Sequence, residues 1–100
     1  MSIAEQIEKD YIQAYKAKDQ VRLGTLRLLK TAAKNKQVEF MRPLTDDDYM
    51  TVIIRELKQR QDSIEQFTAA GRTDLADKEA AEAEVLKAYM PAQLTAEELA

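Results

Sequence analysis

Hydrophobic residues recur every three to four positions along nearly the whole chain, and no segment alternates apolar and polar residues at a spacing of two. This pattern predicts α-helices throughout. With two glycines and two prolines among 100 residues, the chain lacks the many turns of a β-sandwich or barrel. We therefore expect an all-α fold, an antiparallel bundle of about four helices followed by the start of a second helical domain.

The first two helices carry clear start signals. The first is expected over residues 2 to about 17, where Ser2 and Glu5 have the spacing of a capping box. The second is expected over residues 20 to about 39, with Asp19 as its N-cap. Its arc of apolar residues is unusually wide, which indicates that it is the most buried helix of the bundle.

The next two helices are also delimited by cap and stop residues. Thr45 and three following aspartates predict a helix over residues 46 to about 70, since a hydroxyl cap and acidic residues favour a helix N-terminus. Gly71 is a suitable left-handed stop. A fourth helix is expected over residues 73 to about 90, ended by Pro91.

A further helix start lies close to the end of the sequence. Thr95 and Glu98 again have capping-box spacing, and only Leu99 follows as a first apolar position. We therefore expect one helical domain at residues 1–90, and at residues 91–100 a linker and the start of a second domain that is cut at its boundary.

Composition narrows the possible functions. The chain is 45% hydrophobic and 33% charged, and it has neither an apolar run of about 18 residues nor a secretory leader pattern; we expect a cytoplasmic protein. It contains no His and no Cys, which removes the commonest general acid/base, thiolate nucleophiles and most zinc sites. Its glycines form no phosphate-binding loop. These absences favour a binding or accessory module without a cofactor or metal.

Five charged residues fall within or beside the apolar faces of their helices. They are Arg22, Glu56, Arg60, Glu79 and Glu82. We interpret them as a partly buried ion network that fixes helix register, because a half-buried charge without a partner is costly. The alternative is that Glu79 and Glu82 form an acid pair or a metal site, which two carboxylates without a histidine support only weakly.

A strip of cations lies on the second helix, where Arg27, Lys30 and Lys34 fall within about 60° of one another. Residues 1–40 hold eight Lys and Arg against five Asp and Glu, whereas residues 73–100 hold two against seven. The strip could contact nucleic-acid phosphates; the alternative is a solvated face. The six aromatic residues lie mostly at core spacing and not among the cations, so the sequence shows no base-stacking signature.

An ordered set of segments resembles the GatB/YqeY family. These segments are Arg22-Leu23, Leu26-Arg27-Leu28-Leu29, Ala32-Ala33-Lys34-Asn35, Lys58-Gln59-Arg60, Asp62-Ser63, Ala70-Gly71-Arg72, Asp74-Leu75 and Tyr89-Met90-Pro91-Ala92-Gln93-Leu94. The resemblance implies an all-helical protein whose N-terminal bundle is joined by a linker to a second helical domain. That second domain is similar to the tail of the B subunit of glutamine-dependent aspartyl/glutamyl-tRNA amidotransferase, which helps to hold tRNA.

The resemblance also implies an association with carbon–nitrogen ligases that use glutamine as amido donor. Glutamine hydrolysis would need a nucleophilic serine with a lysine-assisted network, and the chain contains only Ser2 and Ser63. We read Ser2 as a helix cap and Ser63 as part of a helix surface. The chain is therefore expected to be an accessory protein rather than a ligase by itself.

We accordingly expect a tRNA-associated protein that works with an amidotransferase or tRNA-synthetase complex, and neither DNA nor membrane as a partner. Tyr89 and Pro91 are expected to form the hinge into the second domain. The residues expected to bind phosphates are Arg27, Lys30, Lys34 and Lys58. Two alternatives remain, a protein-interaction module without RNA contact and an enzyme that transfers the amido group itself.

Overall fold

The computed structural model describes residues 2–90, which form four α-helices and contain no β-strand. The helices are α1 (Ile3–Ala17), α2 (Gln20–Phe40), α3 (Asp46–Ala69) and α4 (Thr73–Lys87). The expected all-α bundle is confirmed. The start predicted at Thr95 and the linker at residues 91–100 lie outside the described residues, and the two-domain organisation stays a prediction.

The helix starts follow the cap residues of the sequence. The Ser2 hydroxyl accepts a hydrogen bond from the Glu5 backbone N–H at 3.2 Å, and the Asp19 carboxylate accepts one from the Arg22 N–H at 3.1 Å. After the C-terminal end of α3, Gly71 adopts φ 74°, the left-handed conformation that glycine adopts without steric cost. These local signals are confirmed because each cap satisfies backbone groups that the helix itself cannot.

The start of α3 is held by an acidic cap that also fixes the preceding loop. Asp48 accepts hydrogen bonds from the Thr45 N–H at 2.9 Å and from the Arg42 guanidinium at 2.6 Å. These hydrogen bonds lower the pKa of Asp48 to about 2, and the bond from Arg42 has the largest effect. Nearby, Asp46 accepts a hydrogen bond from the backbone N–H of Ile3 at 3.1 Å, which ties the start of α1 to the start of α3.

The core lies where α2 contacts each of the other three helices, and α3 and α4 form the most extensive helix pair. The largest fully buried apolar side chains are Ile7, Leu26, Leu29, Ile53, Leu57 and Leu86. The apolar arc of α2 is only partly buried, however. Val21 and Leu28 are exposed, because α2 has neighbours on one broad side only and the arc extends beyond them.

The end of α4 differs from the prediction. The helix ends at Lys87 instead of continuing to residue 90. After it, the N–H groups of Tyr89 and Met90 donate to the carbonyls three residues earlier, at 3.1 and 3.0 Å, which is the tighter 3₁₀ pattern. A proline follows at position 91 of the sequence, and proline disfavours a helical conformation at the residue directly before it.

Candidate nucleic-acid interface

The antiparallel pair of α1 and α2 carries a cationic side chain that is fixed in place by two neighbours. The Lys30 ammonium lies 2.9 Å from a carboxylate oxygen of Glu8 and 4.3 Å from the centroid of the Tyr11 ring. Its side chain is 35% exposed. An ammonium over an aromatic ring is attracted by the ring's negative face, so Lys30 is positioned from α1 while it still reaches solvent.

A shallow cavity of about 340 Å³ lies beside this pair. It is lined by Tyr11, Arg27, Lys30, Thr31, Lys34 and Asn35. We call these six residues the α1–α2 basic surface. Asn35 and Thr31 add hydrogen-bonding groups to the cations, and an anion with several oxygens would find both kinds of partner there.

Three of the four cations that the sequence proposed for phosphate binding meet on this surface. Arg27 and Lys34 are exposed, and neither forms an ion pair with any residue in the described range. Lys30 differs because Glu8 already neutralises part of its charge. Lys58 is exposed on α3 and does not line the cavity, so the structure does not bring it to the other three.

The structure adds an aromatic residue that the sequence assigned to the core. Tyr11 is only partly buried and lines the cavity together with Arg27, Lys30 and Lys34. The expectation that the aromatic residues lie apart from the cations is therefore wrong for Tyr11, and also for Phe40, whose ring lies against Lys36 and Arg42. The spacing along α1 shows which side of that helix is apolar, but only the packing of α1 on α2 shows that Tyr11 stands at the edge of that side, beside Lys30.

The predicted ion network is smaller in the structure than the sequence suggested. Arg60 and Glu82 form an ion pair between α3 and α4, with Nε 3.5 Å from a carboxylate oxygen and side chains only 9% and 13% exposed. Arg60 also donates from Nη1 to the backbone carbonyl of Glu56 at 3.5 Å. The Glu56 carboxylate, one helical turn before Arg60 and a member of the predicted network, forms no ion pair with it, because Glu82 faces Arg60 from the neighbouring helix.

The two remaining members of the predicted network, Arg22 and Glu79, do not join the Arg60–Glu82 pair. Arg22 lines a different cavity, near the end of α4, together with Asp10, Glu84 and Tyr89. Glu79 is half-buried and forms no ion pair with a described residue. Helical angles indicate which side of each helix faces inward, but not which neighbour lies at the same height, and this is why Arg22 was grouped with Arg60.

The end of α4 is attached to α1. The Tyr89 hydroxyl donates a hydrogen bond to the Asp10 carboxylate at 2.7 Å. The pKa of Tyr89 is raised well above 10.0, mainly because the phenol is partly buried. The hydrogen bond to Asp10 and the negative charge of Asp10 raise this pKa further, while the positive charge of Arg22 lowers it. The hinge proposed at Tyr89 and Pro91 stays a prediction, since Pro91 lies outside the described residues and Tyr89 itself is anchored.

The described residues contain neither a cluster of possible metal ligands nor a helix that could span a membrane. Within residues 2–90, no three acidic side chains come close enough together to hold a metal ion. In the same range, no helix combines the length and the apolar character needed to cross a membrane.

The chain resembles several fungal proteins named "Altered inheritance of mitochondria protein 41, mitochondrial". The protein from Lachancea thermotolerans is 35% identical over 85 residues, covering 84% of this chain and 46% of the relative. The one from Eremothecium gossypii is 35% identical over 97 residues, covering 94% and 53% respectively. A Saccharomyces cerevisiae protein is 33% identical over 85 residues, covering 84% and 46%. The chain thus spans about half the length of these relatives.

These names contradict the expectation of a cytoplasmic protein, since they describe the relatives as mitochondrial. The expectation rested on the absence of long apolar segments, and that property is equally compatible with the interior of an organelle.

The sequence also matches the family described as "Yqey-like protein" over residues 4–100, almost its full length. The matched range includes the ordered segments from Arg22 to Leu94, and the chain belongs to the Yqey-like protein family.

Proposed function

We propose that this chain is an accessory protein that binds tRNA through the α1–α2 basic surface and presents it to a partner amidotransferase. The observation that supports it best is the meeting of Arg27, Lys30 and Lys34 at one cavity, with Arg27 and Lys34 exposed and without an acidic partner in the described range. Burial does not explain these two charges, and exposed cations that converge on a cavity are suited to phosphate contacts.

The link to tRNA and to an amidotransferase rests on the resemblance to the GatB/YqeY family, whose second domain is similar to the tail of the amidotransferase B subunit. The structure adds a surface of suitable size and charge. From Arg27 to Lys34 the rise along α2 is about 10 Å, so the strip would contact a few neighbouring phosphates. In this proposal the chemistry of amide formation belongs to the partner.

The test is equilibrium binding of transcribed tRNA by the purified chain at about 50 mM salt, where phosphate contacts are strongest. Three phosphate contacts predict that log K falls with log salt with a slope between about −2 and −3. The double variant Arg27→Glu with Lys34→Glu should weaken binding more than about tenfold.

A matched control changes the net charge by the same amount elsewhere. Lys9→Glu with Lys16→Glu alters two exposed lysines of α1 that do not line the cavity, and it should weaken binding much less. The single variant Lys58→Glu shows whether that residue belongs to the interface. Absence of tRNA binding at low salt, or equal losses in the two double variants, would overturn the proposal.

A protein-interaction module is the second candidate, and one observation favours it. Val38, Phe40 and Met41, at the end of α2, are between 41% and 90% exposed. Exposed apolar residues close together are common at protein contacts. Met41→Ser should leave tRNA binding intact if the first proposal holds. If tRNA does not bind and a partner amidotransferase is captured only with Met41 intact, the second candidate is favoured.

A further inference from the structure

Tyr15 is the most exposed aromatic side chain in the described range, with 69% of its surface accessible. Its hydroxyl makes no hydrogen bond to any described residue. A ring this exposed contributes little to the core, and burial therefore does not explain it. A single exposed aromatic is common in proteins, so its surroundings decide whether it has a role.

Tyr15 belongs to the same face of α1 as Tyr11. The two residues are four positions apart, which places them one turn from each other on the helix surface. Glu8 contacts Lys30, and Tyr11 lies level with Arg27, Lys30 and Thr31. Since α1 and α2 are antiparallel and joined by a tight turn, one further turn along α1 brings Tyr15 level with the stretch of α2 between Leu23 and Arg27.

Helix geometry thus places the exposed Tyr15 ring one turn beyond Tyr11, towards the Arg27 end of the α1–α2 basic surface and outside the six residues that line the cavity. One face of the Tyr11 ring is covered by Lys30, while no cation of residues 2–90 lies against the Tyr15 ring. Aromatic rings interleaved with cations are typical of proteins that hold single strands, where rings stack on bases and cations follow the backbone. A duplex offers no free base face to such a ring, because its bases are stacked on one another.

We propose that the α1–α2 basic surface binds unpaired nucleotides, with a base stacked on Tyr15 and neighbouring phosphates held by Arg27 and Lys34. This inference rests on the proposed function and names the part of the RNA that is bound. In a folded RNA the ligand would be a loop or a single-stranded end, whose bases are free to stack on a side chain.

The experiment compares an unstructured RNA of about twelve nucleotides with the same sequence in a duplex, by fluorescence anisotropy at about 50 mM salt. The single strand should bind at least about tenfold more tightly than the duplex. Tyr15→Leu should remove about tenfold of the affinity for the single strand and leave the salt slope unchanged, since no charge is lost. Tyr15→Phe should retain the affinity, because the ring remains.

Phe40→Leu is a control at the far end of α2, since it removes a ring that is 41% exposed and already lies against Lys36 and Arg42; it should not change binding. The chain has four tyrosines and no tryptophan, so quenching of tyrosine fluorescence by the bound strand gives a second measurement, which Tyr15→Leu should reduce. Equal affinity for strand and duplex, with no effect of Tyr15→Leu, would overturn this inference and leave tRNA binding standing. Absence of binding to either RNA, and to tRNA, would overturn the proposed function as well.

Discussion

Arg60 and Arg27 show how differently the two helix pairs use the same type of residue. Arg60, between α3 and α4, is buried and paired with Glu82, whereas Arg27, on the α1–α2 side, is exposed and has no acidic partner in the described range. A buried charge needs its partner, because an uncompensated charge inside the protein is costly. An exposed charge without one costs the fold nothing, and it is therefore free to serve binding.

The largest expected effect concerns the buried pair. Glu82→Ala leaves the Arg60 guanidinium buried without a carboxylate, and we expect the free energy of unfolding to fall by about 3 kcal/mol. Urea denaturation measures it. The double variant Arg60→Met with Glu82→Leu should be within about 1 kcal/mol of the wild type, since neither buried charge remains. A Glu82→Ala variant as stable as the wild type would mean that Arg60 is solvated in solution.

A smaller effect is expected at the contact between α1 and the end of α4. Tyr89→Phe removes the hydrogen bond to Asp10 and should lower the free energy of unfolding by about 1 kcal/mol. The folded pKa of Tyr89 is raised above its ordinary value of 10.0, so the unfolded chain loses the phenol proton first as the pH rises. The contribution of Tyr89 is therefore complete below pH 10 and is lost above it.

Comparing wild type and Tyr89→Phe isolates this contribution from the titration of lysines and other tyrosines. The stability difference between the two proteins should shrink as the pH rises above about 10. A difference that is constant through that range would show that the Tyr89 phenol is not protected by the fold.

The smallest effect on stability is expected on the α1–α2 basic surface. Arg27→Ala and Lys34→Ala should each change the free energy of unfolding by less than about 0.5 kcal/mol. Each should nevertheless weaken tRNA binding and reduce the salt slope by about 1. Thermal unfolding and binding at several salt concentrations measure the two properties. A variant that loses stability and binding together would remove the contrast between the two helix pairs.

Local signals in the sequence predicted the helices well. Ser2, Asp19 and Thr45 cap the helices that they were expected to start, and Gly71 ends α3 in the left-handed conformation. Such signals act within a few residues, because a cap satisfies backbone groups of its own first turn. The end of α4 was misplaced because the last apolar residues, up to Met90, kept the helical spacing after the helix itself had tightened and ended.

The candidate site was predicted less completely. Arg27, Lys30 and Lys34 share a strip because they lie on a single helix, and periodicity detects that directly. Tyr11 and Glu8 belong to another helix, and nothing in their own spacing shows that they meet Lys30. Lys58 was grouped with the strip because it is an outward cation within a segment that resembles the family, and the packing of α3 places it elsewhere.

The sequence by itself determined the helical class, the helix starts and the basic strip of α2, because each depends on residues within a few turns of one another. Tertiary structure decided which charges meet. It paired Arg60 with Glu82 instead of with the Glu56 carboxylate, and it brought Tyr11 to Lys30. The physical reason is that contacts between helices depend on the height and rotation of one helix against the next. Those quantities are set by the packing of the whole core and not by the pattern of any one segment.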